Sequence, residues 1–368
     1  MYEHFRPTVQ RLGGASAWRH ASVLLLLVLM VNSPPVSAVP KGEFLVFPNI
    51  NTISRKDELT LNGQKILPQE HTDPSVDFFF SRDFERLRVI AEFFTSSSDD
   101  HGAHFERLQL GWRLPRNMNL WGGRFHNPLG YWNTQYHHGS YLETAITRPG
   151  TVAYESSGGI LPMHLAGLLL EGSVTRGEAM FGYDLAVGLG PGLSGAALEE
   201  LNILNPDSRS EPVLTLRLNY SPLEDGPTQY GLSFSRGTIP DNLGGDIRQE
   251  TMGAHANWET GRLRLLGALY TIRNEITGSD DRSFASGYLQ AEWALALRWT
   301  LFSRLEDSRG EKDDGFLARI PLFVRARQLG GIRFELTDRQ ALKLEFSNTR
   351  YLGHHSEAVR FQWSAVFP

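Results

Sequence analysis

The sequence predicts an all-β protein, a transmembrane antiparallel β-barrel of about 16 strands, with 14 as the alternative count. Three observations carry that expectation. Apolar and polar residues alternate with period two over many stretches of about ten residues. The connections between those stretches switch between long and short. After the N-terminal leader there is no run of about 20 apolar residues able to form a membrane-spanning helix.

The chain opens on that leader. Arg6, Arg11, Arg19 and His20 precede the apolar run Val23 to Val31, then Pro34, Pro35 and the small-residue site Val36-Ser37-Ala38. This is the order of a secretory signal peptide, expected over 1–38. Residues 39–74 are expected to hold an N-terminal segment and the first strand, and 75–368 the barrel. Strands are expected near 57–66, 75–81, 86–95, 103–114, 118–126, 160–173, 178–189 and 212–220, then 228–237, 247–258, 262–273, 283–292, 297–306, 322–337, 340–349 and 357–367. Leu87, Val89, Ala91 and Phe93 oppose Arg86, Arg88 and Glu92. Leu214, Leu216, Leu218 and Tyr220 oppose Thr215, Arg217 and Asn219. Successive side chains of a strand point to opposite faces, so each such stretch offers one row to lipid and one to water.

Connections such as 127–159, 190–211 and 307–321 are long, while 82–85, 115–117 and 338–339 are short. That matches long external loops and short periplasmic turns, with both termini on the periplasmic side. A lumen of 16 strands leaves room for an aqueous channel.

Composition fits. The formal charge is −5, becoming −7 once the +2 of the leader (three Arg, one Glu) is removed, which argues against nucleic acid as a partner. There is no cysteine, which excludes disulfides, c-type haem and cysteine-ligated metal. A mean hydropathy of −0.28 is compatible with a wall in which only alternate residues need be apolar. Neither a Gly-x-Ser-x-Gly elbow nor a His-Glu-x-x-His helix is present, so no enzyme and no cofactor is expected.

The last strand alternates Val359, Phe361, Trp363, Ala365 and Phe367 with Arg360, Gln362, Ser364 and Val366. An aromatic this close to the end resembles the C-terminal insertion signal of Gram-negative outer-membrane barrels, with Pro368 following it here. The mature chain resembles a general-porin architecture. The segment from Trp121 to Gly172 is similar to porin-like outer-membrane proteins related to phosphate-selective porins. That resemblance implies a third external loop, Asn127 to Gly159, folded into the lumen as a constriction. It also implies a homotrimer and passive passage of small hydrophilic solutes. Candidate constriction residues are Arg124, His126, Tyr131, Trp132, His137, His138, Arg148 and His164. Arg148 is the one Lys or Arg of the loop.

For the histidines, two readings stand. They form a metal or proton site, or they hydrogen-bond loop to wall; the spacing matches no tight ligand motif, so no metal site is expected. If the apolar row faces lipid, then Arg86, Arg88, Arg107, Arg113, Arg217, Arg298, Arg304, Arg333, Lys343 and Arg360 face the lumen, giving a weak anion preference or bracing the wall as ion pairs. The acidic loop pairs Asp99-Asp100, Glu199-Glu200, Asp280-Asp281 and Asp313-Asp314 meet solvent, or lipopolysaccharide through divalent cations.

Overall fold

The computed structural model describes residues 42–61, 64–97, 103–136, 139–199, 201, 203, 210–241, 245–276 and 281–368. The leader expected over 1–38 lies outside them. Sixteen strands close one antiparallel barrel: β1 (Gly42–Arg55), β2 (Glu70–Phe84), β3 (Leu87–Ser96), β4 (His104–Leu114), β5 (Met118–His126), β6 (His164–Arg176), β7 (Ala179–Leu189) and β8 (Pro212–Ser221), then β9 (Gln229–Ile239), β10 (Ile247–Thr260), β11 (Leu263–Ile276), β12 (Arg282–Ala296), β13 (Trp299–Arg309), β14 (Ala326–Thr337), β15 (Gln340–Arg350) and β16 (His355–Ala365). Each pairs with its sequence neighbours, and β1 closes the ring on β16 with Ile50 opposite Trp363. The seam extends past the last strand, where Val46 and Phe367 exchange both backbone hydrogen bonds at 3.0 and 2.9 Å. Closure leaves none of the sixteen barrel strands with an unpaired edge, which a lipid environment requires.

The outer face is apolar. Leu110, Leu168, Leu218, Leu232, Met252, Leu269, Leu289, Leu305, Phe346 and Phe361 are all exposed on outward positions. An apolar outer face on this scale is what the lipid-facing wall of a transmembrane barrel presents. Toward the short-turn end stand Phe84, Trp112, Phe181, Tyr220, Tyr230, Trp258, Trp293 and Trp299, an aromatic girdle at one interface.

One expectation needs correction. The first strand is Gly42–Arg55, not 57–66. Residues 57–66 fall in the first long connection, where Leu59–Leu61 pairs with Gln64–Leu67 in a small hairpin. The true first strand hides its period behind the run Phe44-Leu45-Val46-Phe47 and carries Pro48. Its inward Phe47 and Ile53 are buried, and the Phe47 ring lies against Gly139, where a Cβ would sit 2.3 Å from it. Inward Phe47 is apolar because it meets the third loop there and not water, while Asn49 on the same row bonds Ser75. Strand count and parity survive the correction, so the long connection after β5 is still the third.

Candidate functional site in the lumen

The third connection, residues 127–163, leaves β5 and returns in β6. In a ring of sixteen, β13 stands opposite β5. The loop nevertheless bonds to inward side chains of β12, β13, β14 and β15, which it reaches only by crossing the lumen. It begins with a short helix, α1 (Tyr131–Gln135), preceded by Gly130 at φ 86°. A Cβ at Gly130 would lie 2.1 Å from the Tyr270 hydroxyl on β11, so glycine alone fits that close approach.

Wall side chains hold the loop mainly by its backbone. The Glu345 carboxylate accepts from Ile146 N–H at 2.9 Å, from Thr147 N–H at 3.2 Å and from the Thr147 hydroxyl. Glu306 accepts from Gly150 N–H at 2.6 Å, and Asp77 from Gly139 N–H at 3.2 Å. In the opposite sense Arg304 donates to Thr147 O at 2.5 Å and Arg327 to Arg148 O at 2.9 Å. Arg333 donates to Tyr141 O and Glu143 O at 2.6 and 2.7 Å, and Lys343 to Ser140 O at 2.5 Å. Charge-assisted bonds of this kind are the stronger ones. Tyr141 Oη donates to Asp338 O at 2.7 Å, within the short turn 338–339, so the loop descends the full height of the barrel.

Both ends of the loop are fastened by a buried histidine and acid cluster. His164 Nε2 lies 2.9 Å from Glu106 and its Nδ1 3.5 Å from Glu155. Glu155 also accepts from the backbone N–H groups of Met163 at 2.7 Å and His164 at 3.1 Å. His126 lies 3.6 Å from Glu92, which Arg107 meets at 2.7 Å, and the two imidazole rings stand 5.4 Å apart. Burial alone raises the Glu155 carboxyl, but His164, hydrogen bonds and Arg124 together hold it below its ordinary value. Among the described residues no group of three or more His, Asp or Glu has the geometry to hold a metal ion. The cluster is arranged to clamp chain, and His137 and His138 lie outside the described residues.

Apolar side chains fill another part of the interior. Leu129, Trp132, Val152, Ile160, Leu161 and Met163 of the third loop share one buried cluster with Leu193 and Leu198 of the fourth. Phe316, Leu317, Ile320 and Phe323 of the seventh join them, against inward Leu266, Tyr270, Ile272, Phe284 and Tyr288. Three loops thus pack as a core against β9 to β12. The fourth contributes a hairpin of Gly192–Ser194 with Ala197–Glu199. The seventh is tied down by Arg319 to Asp241 and by Arg325 to Glu311.

Against the sequence expectations, Arg124, His126, Tyr131, Trp132, Arg148 and His164 are all gathered in this interior. Each is at most 8% exposed, so they lie between loop and wall and do not line an open bore. Arg148 donates to Val152 O at 3.1 Å and stacks on the Tyr154 ring. Of the lumen charges, Arg107, Arg217, Arg304, Arg333 and Arg360 are ion-paired with Glu92, Asp184, Glu306, Glu335 and Glu345. Half-exposed Arg88 and Arg113 share Asp83 at 3.0 and 2.5 Å near the short-turn mouth. Arg86 and Arg298 are corrections. They sit exposed in the short turns 85–86 and 297–298, because β3 and β13 start one residue after them. Sequence reasoning missed Asp77, Glu106, Glu143, Glu155 and Asp184. Glu106 falls on a break in the β3–β4 register, between Phe105 and Arg107, where strict alternation gives the wrong face.

No protein-family model matches the chain, and no curated protein matches it. Solved structures do match in fold. An anion-selective porin from Comamonas acidovorans aligns at TM-score 0.58 and 13% identity over 89% of this chain and 99% of its own. The outer-membrane channel DcaP of Acinetobacter baumannii aligns at 0.58 and 10% identity over 91% and 99%. OmpT of Vibrio cholerae in a trimer form aligns at 0.59 and 8% identity over 90% and 100%.

Proposed function

We propose that this chain is a Gram-negative outer-membrane channel of the porin type, narrowed by its third loop over 127–159. Small hydrophilic solutes pass through it with a weak preference for anions. One observation carries the reading: a connection that crosses the lumen and is gripped along its length by inward charges sets the bore. The anion preference rests on Arg88 and Arg113, which face Asp83 two to one at the short-turn mouth. Assembly as a homotrimer, contact with outer-membrane lipid and lipopolysaccharide, and export on the leader belong to the same reading; catalysis does not. Phosphate selectivity is not carried forward, since Arg148 is spent on Val152 O and the Tyr154 ring.

The test is single-channel recording of refolded protein in planar bilayers, with and without residues 127–159. Steady conductance that rises on deletion is the expected result. Equal conductance would remove the loop from the role, and a clear cation preference in the reversal potential would remove the anion reading. A second reading has its own observation. The apolar core joining the third, fourth and seventh loops suits a barrel stoppered at rest, which opens only when the third loop is displaced. Silence of the intact protein, with conduction by the deletion variant, selects it.

A further inference from the structure

Below α1, the inward face of β8 to β11 carries polar groups that nothing in the barrel answers. Arg217, Ser233, Gly253 and Tyr270 stand on one rung of the wall, and Asn219, Gly231, His255 and Ala268 on the next. Gln229 and Asn257 stand on the rung nearest the short turns. Among the described residues, both ring nitrogens of His255, Asn219 Oδ1, Gln229 Oε1 and Ser233 Oγ are covered and have no hydrogen-bond partner. His255 is 6% exposed and Ser233 7%. Buried polar atoms are rarely left in that state. A Cβ at Gly231 would lie 2.2 Å from the imidazole and 2.7 Å from Asn219 Oδ1, so both side chains lean over one backbone position. Asn219 directs its Nδ2 at Asp184, 3.5 Å away, which turns its oxygen from the acid. The Tyr131 ring of α1 stands 5.9 Å from the imidazole as a roof. Half-buried Thr134, Asn219, Gln229 and Gly231 open the recess toward the short-turn mouth.

Charge decides what this recess takes. Arg217 is paired with Asp184 at 2.6 Å and donates to the Thr134 hydroxyl at 2.6 Å. Arg264 lies 3.7 Å from Glu292 and donates to Asn257 Oδ1 at 2.8 Å and to Tyr131 Oη at 3.3 Å. Both guanidinium groups are balanced, so no net charge draws in an anion, and their presence disfavours a cation. The open atoms are neutral: two amide oxygens, a hydroxyl and an imidazole, which in its neutral form offers one donor and one acceptor. Hydroxyl groups, each both donor and acceptor, answer that set. We infer that the recess is a binding subsite for a neutral saccharide, on the short-turn side of the third loop. Sugar hydroxyls meet His255, Asn219 and Gln229, and the ring rests against Tyr131. The imidazole, tied by no hydrogen bond, is free to turn its nitrogens to the sugar. The inference deepens the porin reading by naming one class of solute, yet the recess is present whether or not the barrel conducts.

Saturation-transfer NMR of the full chain, in an amine-oxide detergent that carries no sugar headgroup, tests it with sucrose as probe. The wild type should transfer saturation to sucrose, and less to glucose 6-phosphate or choline at equal concentration. His255→Phe keeps a ring and removes both nitrogens, and Asn219→Ala removes the oriented oxygen at a half-buried position. Each change should weaken sucrose binding by about fivefold or more, the scale of one lost neutral hydrogen bond. Wild-type sucrose signal in both variants, or a stronger wild-type signal for the sugar phosphate or choline, overturns the inference. Bilayer recording of the same protein separates the site from the channel. Conductance without sucrose binding overturns the site and leaves the channel reading. Sucrose binding by a protein that does not conduct supports the site and removes the open-channel reading.

Discussion

Glu345 offers the sharpest test of the lumen strap. It is fully buried, and its two oxygens hold two loop N–H groups and one hydroxyl, with Arg360 3.6 Å away. Glu345→Ala removes that acceptor, strands the buried Ile146 N–H and the half-buried Thr147 N–H, and leaves Arg360 without its carboxylate. Hydrogen bonds to a charged group contribute about 1.5–3 kcal/mol each, and breaking a buried pair costs about 3–5 kcal/mol. These terms overlap, so about 4 kcal/mol is the reasonable loss, roughly a thousandfold in the ratio of docked to undocked loop. Glu345→Gln keeps one carbonyl acceptor and should lose about half as much. Conductance histograms and chymotrypsin susceptibility report the docking, since Tyr131 and Trp132 are buried only while the loop is seated. Larger, noisier openings and new cleavage within 127–163 are expected, in the order Ala, then Gln, then wild type. An Ala variant with wild-type conductance and wild-type resistance to cleavage would show that the loop is not held as described.

Four further results follow from the same geometry. His164→Ala leaves Glu106 and Glu155 buried without their shared imidazole, so the thermal midpoint should fall by the equivalent of about 3–5 kcal/mol; an unchanged midpoint refutes the clamp. Gly111→Ala places a Cβ 2.5 Å from the Trp121 ring and should cost about 1–3 kcal/mol in urea unfolding, whereas the same change at Gly122, whose Cβ would meet nothing nearer than 3.7 Å, should not. Because the Glu155 carboxyl is held below its ordinary 4.5, its contribution is fully present above that pH and is lost as pH falls through the lower folded value. Conductance should therefore rise on acidification below about pH 4.5, and Glu155→Gln should abolish that step if the clamp is the cause. Arg88→Glu with Arg113→Glu reverses the charge at the short-turn mouth, so the reversal potential should move toward cations; no movement would place the selectivity elsewhere.

What could be read from the sequence was the wall where it separates lipid from polar side chains. In β4, β8, β15 and β16 the outward row is apolar and the inward row polar, and the period of two shows plainly. It fails where the interior is packed. On β11 inward Leu266, Tyr270 and Ile272 face loop side chains while Leu265 and Leu269 face lipid, so both rows are apolar and the period vanishes. The same cause hid the first strand, whose Phe47 meets Gly139. Arg304 and Arg333 were legible as inward charges because their neighbours alternate. Their partners on the loop backbone were not, since a side chain that grips main-chain atoms imposes no pattern on the residues it grips. Glu155 and Glu143 sit in irregular chain, where spacing says nothing about direction.

That manner of holding has a practical corollary. The anchors at Glu306, Glu345, Arg333 and Lys343 recognise peptide atoms common to almost every amino acid. The stretch from Ser140 to Thr144 could therefore be re-lettered with its route intact, apart from the Tyr141 hydroxyl, the buried Glu143 carboxylate that accepts from Trp132 Nε1, and the Thr144 contact to Glu292. Gly139 and Gly150 are fixed points, because a methyl group there would strike Phe47 and Val324. Leu142 is already exposed. A dye or chelating group mounted there would ride on the loop itself, turning the strap into its own position gauge.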